Sequence, residues 1–169
     1  MQKLTLFVAT LLFTLSVFGQ DDKINVTAFR GMPWGAFRDS MYVNGKKMEF
    51  ARDKSSLQRN AYIIPGDNMM IGNIKLTRIT YIFNDDNRFV KVYLEGPKED
   101  AEQMKFILDY KFGAHKNESK VDNVNYKQWL VKDVTFTLGE YEFLKFEVKI
   151  ESNWQASEAY KKNTSVEDF

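Results

Sequence analysis

The sequence predicts an α+β fold in which an antiparallel sheet of about six strands packs against one principal helix. Three observations carry this expectation. Residues 144–151 alternate apolar and charged side chains: Leu144, Phe146, Val148 and Ile150 against Lys145, Glu147, Lys149 and Glu151. Two further alternating runs flank Asn84-Asp85-Asp86-Asn87 and read as a hairpin. Between these groups, residues 97–113 hold the chain's one convincing helical stripe.

Taken from the N-terminus, the first apolar run belongs to an address rather than a fold. Met1-Gln2-Lys3 gives a positive start, the stretch from Leu4 to Phe18 is mostly apolar, and Val17 and Gly19 are small. This is the layout of a secretory signal peptide, expected over residues 1–19 with cleavage after Gly19. The run is shorter than the ~20 apolar residues that span a bilayer; an uncleaved anchor is the alternative reading. Residues 20–28 are polar and read as a loose leader, residues 29–154 as a single domain, and residues 155–169 as a polar tail.

Within the domain, Asn44-Gly45 flanked by residues 41–43 and 46–48 suits a type I′ hairpin turn, although residues 36–43 also read as a short helix entered from Gly35. Tyr62-Ile63-Ile64 before Pro65-Gly66-Asp67-Asn68 reads as a strand and turn. Ile74, Leu76, Ile79, Tyr81 and Phe83 alternate toward the Asn84–Asn87 loop. Beyond the loop, Val90, Val92 and Leu94 take one face and Phe89, Lys91 and Tyr93 the other. Pro97 is placed at the first helical position and Glu99 and Asp100 in the first turn. Ala101, Met104, Ile107, Leu108 and Phe112 form the apolar stripe, and Gly113 ends it. Residues 126–131, 134–138 and 144–151 then form a three-strand meander, with the helix lying across the apolar face.

Composition sets the compartment and excludes several chemistries. The chain has no cysteine, which excludes disulfides, thiol-linked lipid and cysteine nucleophiles. Loss of Lys3 with the signal peptide balances the 24 basic against the 23 acidic side chains, so no long basic surface for nucleic acid is expected. A 44% hydrophobic content with 14 Phe and 8 Tyr belongs to a packed core. The expected product is periplasmic or secreted, without a stable membrane anchor after cleavage.

Phe29-Arg30-Gly31-Met32-Pro33-Trp34-Gly35 resembles the opening of a loose group of small exported bacterial domains of unknown function. That group continues with a Tyr-x-Phe strand, a helix ending near Tyr-x-x-Gly and a later Trp-bearing strand. Tyr81-Ile82-Phe83, Tyr110-Lys111-Phe112-Gly113 and Trp129 occupy those places here, while Asn44-Gly45 departs from the group's helix after Trp-Gly. The resemblance implies a compact exported α+β domain and supplies no activity.

Candidate chemistry is sparse. His115 is the single histidine, so a zinc cluster is excluded and any Ser-His-acid triad must be built on it; no nucleophile elbow accompanies it. A histidine capping the helix C-terminus is the simpler reading. Asp85-Asp86 reads as a turn rather than a calcium loop, and nothing singles out a catalytic carboxylate pair among the 23 acids. No glycine-rich phosphate loop is present. Asn25, Asn117 and Asn163 open Asn-x-Ser/Thr triplets, as chance would supply. The segment 46–59, with five basic and two acidic residues, reads as a solvated face. Arg30, Trp34 and Arg38 form the candidate binding surface, with Trp34 as either an aromatic anchor or a plug of the core.

The function expected from this inventory is an exported, non-catalytic binding module of the bacterial cell envelope. No cofactor is called for, and its partner would be an envelope protein or a surface polymer. The alternatives are a small hydrolase working through carboxylates or His115, and a carrier of a small hydrophobic ligand.

Overall fold

A computed structural model describes residues 26–153. The signal-peptide stretch, residues 20–25 of the leader and the tail from 155 lie outside the described residues. Strands β1 (Ala28–Phe29) and β2 (Met32–Pro33) open the fold as a tight ribbon. A 3-10 turn at Arg38–Ser40 leads to a second ribbon, β3 (Tyr42–Val43) and β4 (Lys46–Lys47). Its central residues Asn44 and Gly45 have φ of 50° and 75°, the left-handed pair that a type I′ turn requires. Next come β5 (Ala51–Arg52), β6 (Ala61–Ile63) and a third ribbon, β7 (Met70–Ile71) with β8 (Ile74–Lys75).

The long strands follow. β9 (Arg78–Phe83) and β10 (Phe89–Pro97) make the expected hairpin. A 3-10 turn at Lys98–Asp100 runs into helix α1 (Ala101–Phe112), and Gly113 caps it by donating to Asp109 O at 2.9 Å. Strands β11 (Asn117–Val121), β12 (Val124–Val131), β13 (Val134–Tyr141) and β14 (Lys145–Ser152) close the chain. Eight strands form one antiparallel sheet in the order β11-β12-β13-β14-β10-β9-β6-β5. Among the described residues no helix is long and apolar enough to cross a membrane.

The α+β expectation is thereby corrected: the molecule is mainly β, with eight strands in its sheet, three separate ribbons and one 12-residue helix. The physical reason lies in what covers the dry face. Helix α1 lies over the β12–β13 end, where Phe112 stacks on Phe136 at 4.3 Å between ring centroids. There Trp129 also donates its indole N–H to Asp109 and to Gly113 O at 2.9 Å. The other half is covered by ribbons and loops. Phe29 meets Tyr81 at 6.0 Å, Trp34 stacks on Phe89 at 4.7 Å, and Phe50 stands edge-on to Phe83 at 5.2 Å.

Three local expectations also move. A bulge at Val90 shifts the register, so Phe89 pairs with Phe83 and Lys91 with Ile82. Phe89 and Val92 thus both enter the core, against the expectation that Phe89 shares a face with Lys91. Leu144 leaves the apolar face for the β13–β14 turn, where it is 80% exposed. Pro97 ends β10 rather than opening the helix.

Gly96 decides how the two halves of the sheet meet. It pairs with Phe146 across β10 and β14, and a Cβ on Gly96 would lie 2.5 Å from two atoms of that ring. Gly96→Ala is expected to cost about 1–3 kcal/mol in denaturant melts, because the buried ring has to move. Phe146→Leu in the Gly96→Ala background should recover part of that cost, a non-additivity that a double-mutant cycle reads directly.

Candidate functional site

Side chains alternate across a strand, so the dry face of this sheet has a wet counterpart. The alternation of β14 places Lys145, Glu147, Lys149 and Glu151 there. Register then assembles a row across five strands. Arg78 of β9 opposes Glu95 of β10, Glu95 opposes Glu147, Glu147 opposes Gly139 of β13, and Gly139 opposes Tyr126 of β12.

Two glutamates as direct cross-strand partners repel. Lys145 relieves this, its ammonium 2.5 Å from Glu95 Oε2 and 3.5 Å from Glu147 Oε2. Arg78 adds charge at 3.9 Å from Glu95 Oε1. Burial still pushes the Glu147 carboxyl up; Lys145 opposes the shift and Glu95 reinforces it. Gly139 leaves room beside Glu147 for Tyr126, whose ring a Cβ there would meet at 3.1 Å. Tyr141, hydrogen-bonded to Tyr126, is pushed up to about 12 by burial and by the nearby Glu147 charge. The row therefore offers two carboxylates, an ammonium and two phenols within reach of one another.

The β9 end of the row is braced by residues 53–60. Asp53 accepts from the Arg78 guanidinium, from Thr80 Oγ1 at 3.0 Å and from Ser55 Oγ at 2.7 Å. Burial pushes this carboxyl up, but its hydrogen bonds with Arg78, Ser55 and Thr80 outweigh burial and hold it down at about 2. Gln58 donates to the Tyr93 hydroxyl at 3.0 Å. Along the same face Glu151 pairs with Lys91 at 2.5 Å and Lys149 at 3.1 Å. Lys91 and Glu151 also border a groove of about 460 Å³, with Ile82, Phe83, Asn84 and Asn153.

The residues singled out in the sequence lie elsewhere. Arg30 is a brace: it binds Asp67 at 2.5 Å and donates to Met70 O at 3.1 Å. Asp67 also accepts from the Tyr81 hydroxyl at 2.6 Å, and burial beside that carboxylate keeps the phenol protonated. Trp34 is buried against Phe89, the plug rather than the anchor. Arg38 lies over the Tyr62 ring, 4.7 Å from its centroid, and pairs with Asp39.

His115 stands edge-on to Trp129, with Nδ1 3.9 Å from Asp109 and Nε2 3.7 Å from Glu118. Both contacts are longer than hydrogen bonds, and Nδ1 is buried without a hydrogen-bond partner among the described residues. Asp85-Asp86 is a turn in which Asn84 Oδ1 accepts from Asp86 N and Arg88 N. Among the described residues no group of three or more His, Cys, Asp or Glu is placed to hold a metal ion.

Sequence reasoning missed the Arg78-Glu95-Glu147-Tyr126 row. Its one signal was the alternation of residues 145–151, which marks a wet face but not the strands beside it. No family model, curated protein or solved structure matches the chain. The site's chemistry rests on its own geometry.

Two outcomes check these assignments. Asp53 binds fewer protons folded than unfolded below its ordinary value of 3.8, so its contribution is full above about pH 4. It should fade as pH falls toward 2, the folded value. Asp53→Asn is expected to lose roughly 2 kcal/mol at neutral pH and to flatten the acid limb of the stability profile. Arg30→Ala should cost about 3 kcal/mol, because it leaves Asp67 and Tyr81 without their cation, whereas Arg38→Ala should cost under ~1 kcal/mol.

Proposed function

We propose that the protein is an exported, non-catalytic binding module whose wet sheet face takes a neutral, hydroxyl-rich polymer of the cell envelope. The observation that carries this reading is the five-strand row. Its acids and bases are matched to one another, so an ionic ligand gains little by docking on it. Hydrogen-bonding capacity remains at Lys145, Glu147, Tyr126 and Tyr141, and the phenol rings offer flat apolar area to sugar-like rings. The dry face is filled by Trp129, Phe136, Phe146 and Tyr81, which favours a surface ligand over a hydrophobic one carried between helix and sheet. Export is the reading of residues 1–19.

One observation favours a second reading. Glu147, pushed up by burial and facing Glu95, has the makings of a general acid beside a carboxylate, as a hydrolase of the same polymers would need. Affinity electrophoresis through gels containing uncharged polysaccharides tests both. Retardation that weakens about tenfold in Tyr126→Ala and Glu147→Gln, with no release of reducing ends, is the expected outcome. Release of reducing ends lost in Glu147→Gln would establish the hydrolase instead. Unretarded migration in every gel would remove both readings.

A further inference from the structure

We propose that β11 is a self-pairing edge, through which two copies of this chain join their sheets antiparallel about a two-fold axis at Ser119. The inference is independent of the ligand proposed above. β11 ends the eight-stranded sheet with β12 as its single strand neighbour, and all five of its residues are exposed. Such an edge presents unpaired N–H and C=O groups along its free side.

Charge order selects the occupant and the register. Lys116, Glu118 and Lys120 alternate in sign at every second residue, which places them on one side of the strand and its approach, while Asp122 opens the left-handed turn to β12. In an antiparallel pair centred on Ser119, Glu118 faces Lys120 of the second copy. Two-fold symmetry makes this ion pair twice. Centring on Glu118 sets Glu118 against itself and Lys116 against Lys120. Centring on Lys120 sets Lys120 against itself. A one-residue slip leaves no ion pair. Centring on Asn117 also sets Lys116 against Glu118, but only the Ser119-centred register combines an ion pair with pairing of all five residues of β11.

These charges are available. Lys116, Lys120 and Asp122 make no ion pair among the described residues, and Glu118 reaches only His115, at 3.7 Å. A lysine on an edge normally repels foreign strands. Here the same lysine is answered by the chain's own Glu118, so the edge admits its own copy and discourages others. The axis stands perpendicular to the sheet, so the wet faces of both copies lie on the same side.

Sedimentation velocity on the purified chain over a wide concentration range tests this. A concentration-dependent dimer at low ionic strength is expected, weakened at ~1 M salt, where charges more than ~3 Å apart are screened. Glu118→Lys and Lys120→Glu should each weaken it at least tenfold, since each places like charges across the axis. The Glu118→Lys/Lys120→Glu double variant should restore it, because exchanging the pair recreates complementarity. All four positions concerned are exposed, so circular dichroism is expected to stay unchanged. A wild-type chain that stays monomeric, a dimer indifferent to the single reversals, or a double variant that fails to recover would each overturn the proposal.

Discussion

The fold depends on a close approach between a glycine and a ring. Gly96 and Phe146 are cross-strand partners, and any side chain larger than hydrogen at 96 would occupy the space of the ring. β10 is the strand that the two halves share: β9, β6 and β5 extend from one side of it, and β14, β13, β12 and β11 from the other. The seat of Phe146 over Gly96 therefore aligns one half on the other. A slip of one residue at this ladder would turn the whole of β14 inside out, sending Phe146, Val148 and Ile150 to water.

The same alignment creates the wet row. With Gly96 opposite Phe146, Glu95 is obliged to sit opposite Glu147, one position along and on the other face. The repulsion between the two acids is thus a by-product of core packing. Lys145 and Arg78 answer it from the neighbouring positions. Packing on one side of the sheet and chemistry on the other are consequences of a single register. A change made to the core at Phe146 is for this reason also a change to the geometry of Glu147.

Much of the long-strand framework is legible in the amino-acid order, because period-two alternation over residues 145–151 and the Asn84–Asn87 loop are local signals. The Asn44-Gly45 turn is legible for the same reason, its backbone conformation being written into two adjacent residue types. Strand β11 is not, since Asn-Glu-Ser-Lys-Val has no buried side and hence no apolar alternation to read. The two-residue ribbons are too short to show a period at all. The bulge at Val90 reverses the faces expected for Phe89, because one unpaired residue resets the count. The binding row is the least legible part. Arg78, Glu95, Glu147 and Tyr126 are spread over 70 residues of four separate strands, and only the pairing order brings them side by side. Arg30 and Trp34 drew attention for their residue types, and the structure spends them on bracing and filling.

The position of β14 in chain order has a temporal consequence. It is the last described strand, yet it sits in the middle of the sheet, between β13 and β10. Synthesis from the N-terminus therefore yields two unjoined pieces until residues 145–152 emerge, and the central gap closes only then. Contacts between strands so far apart in sequence form slowly, and until they do the apolar rows of β10 and β13 remain open to solvent or to a chaperone. A chain whose keystone follows both of its neighbours spends much of its synthesis unfinished, which is the condition that the export proposed for it would require.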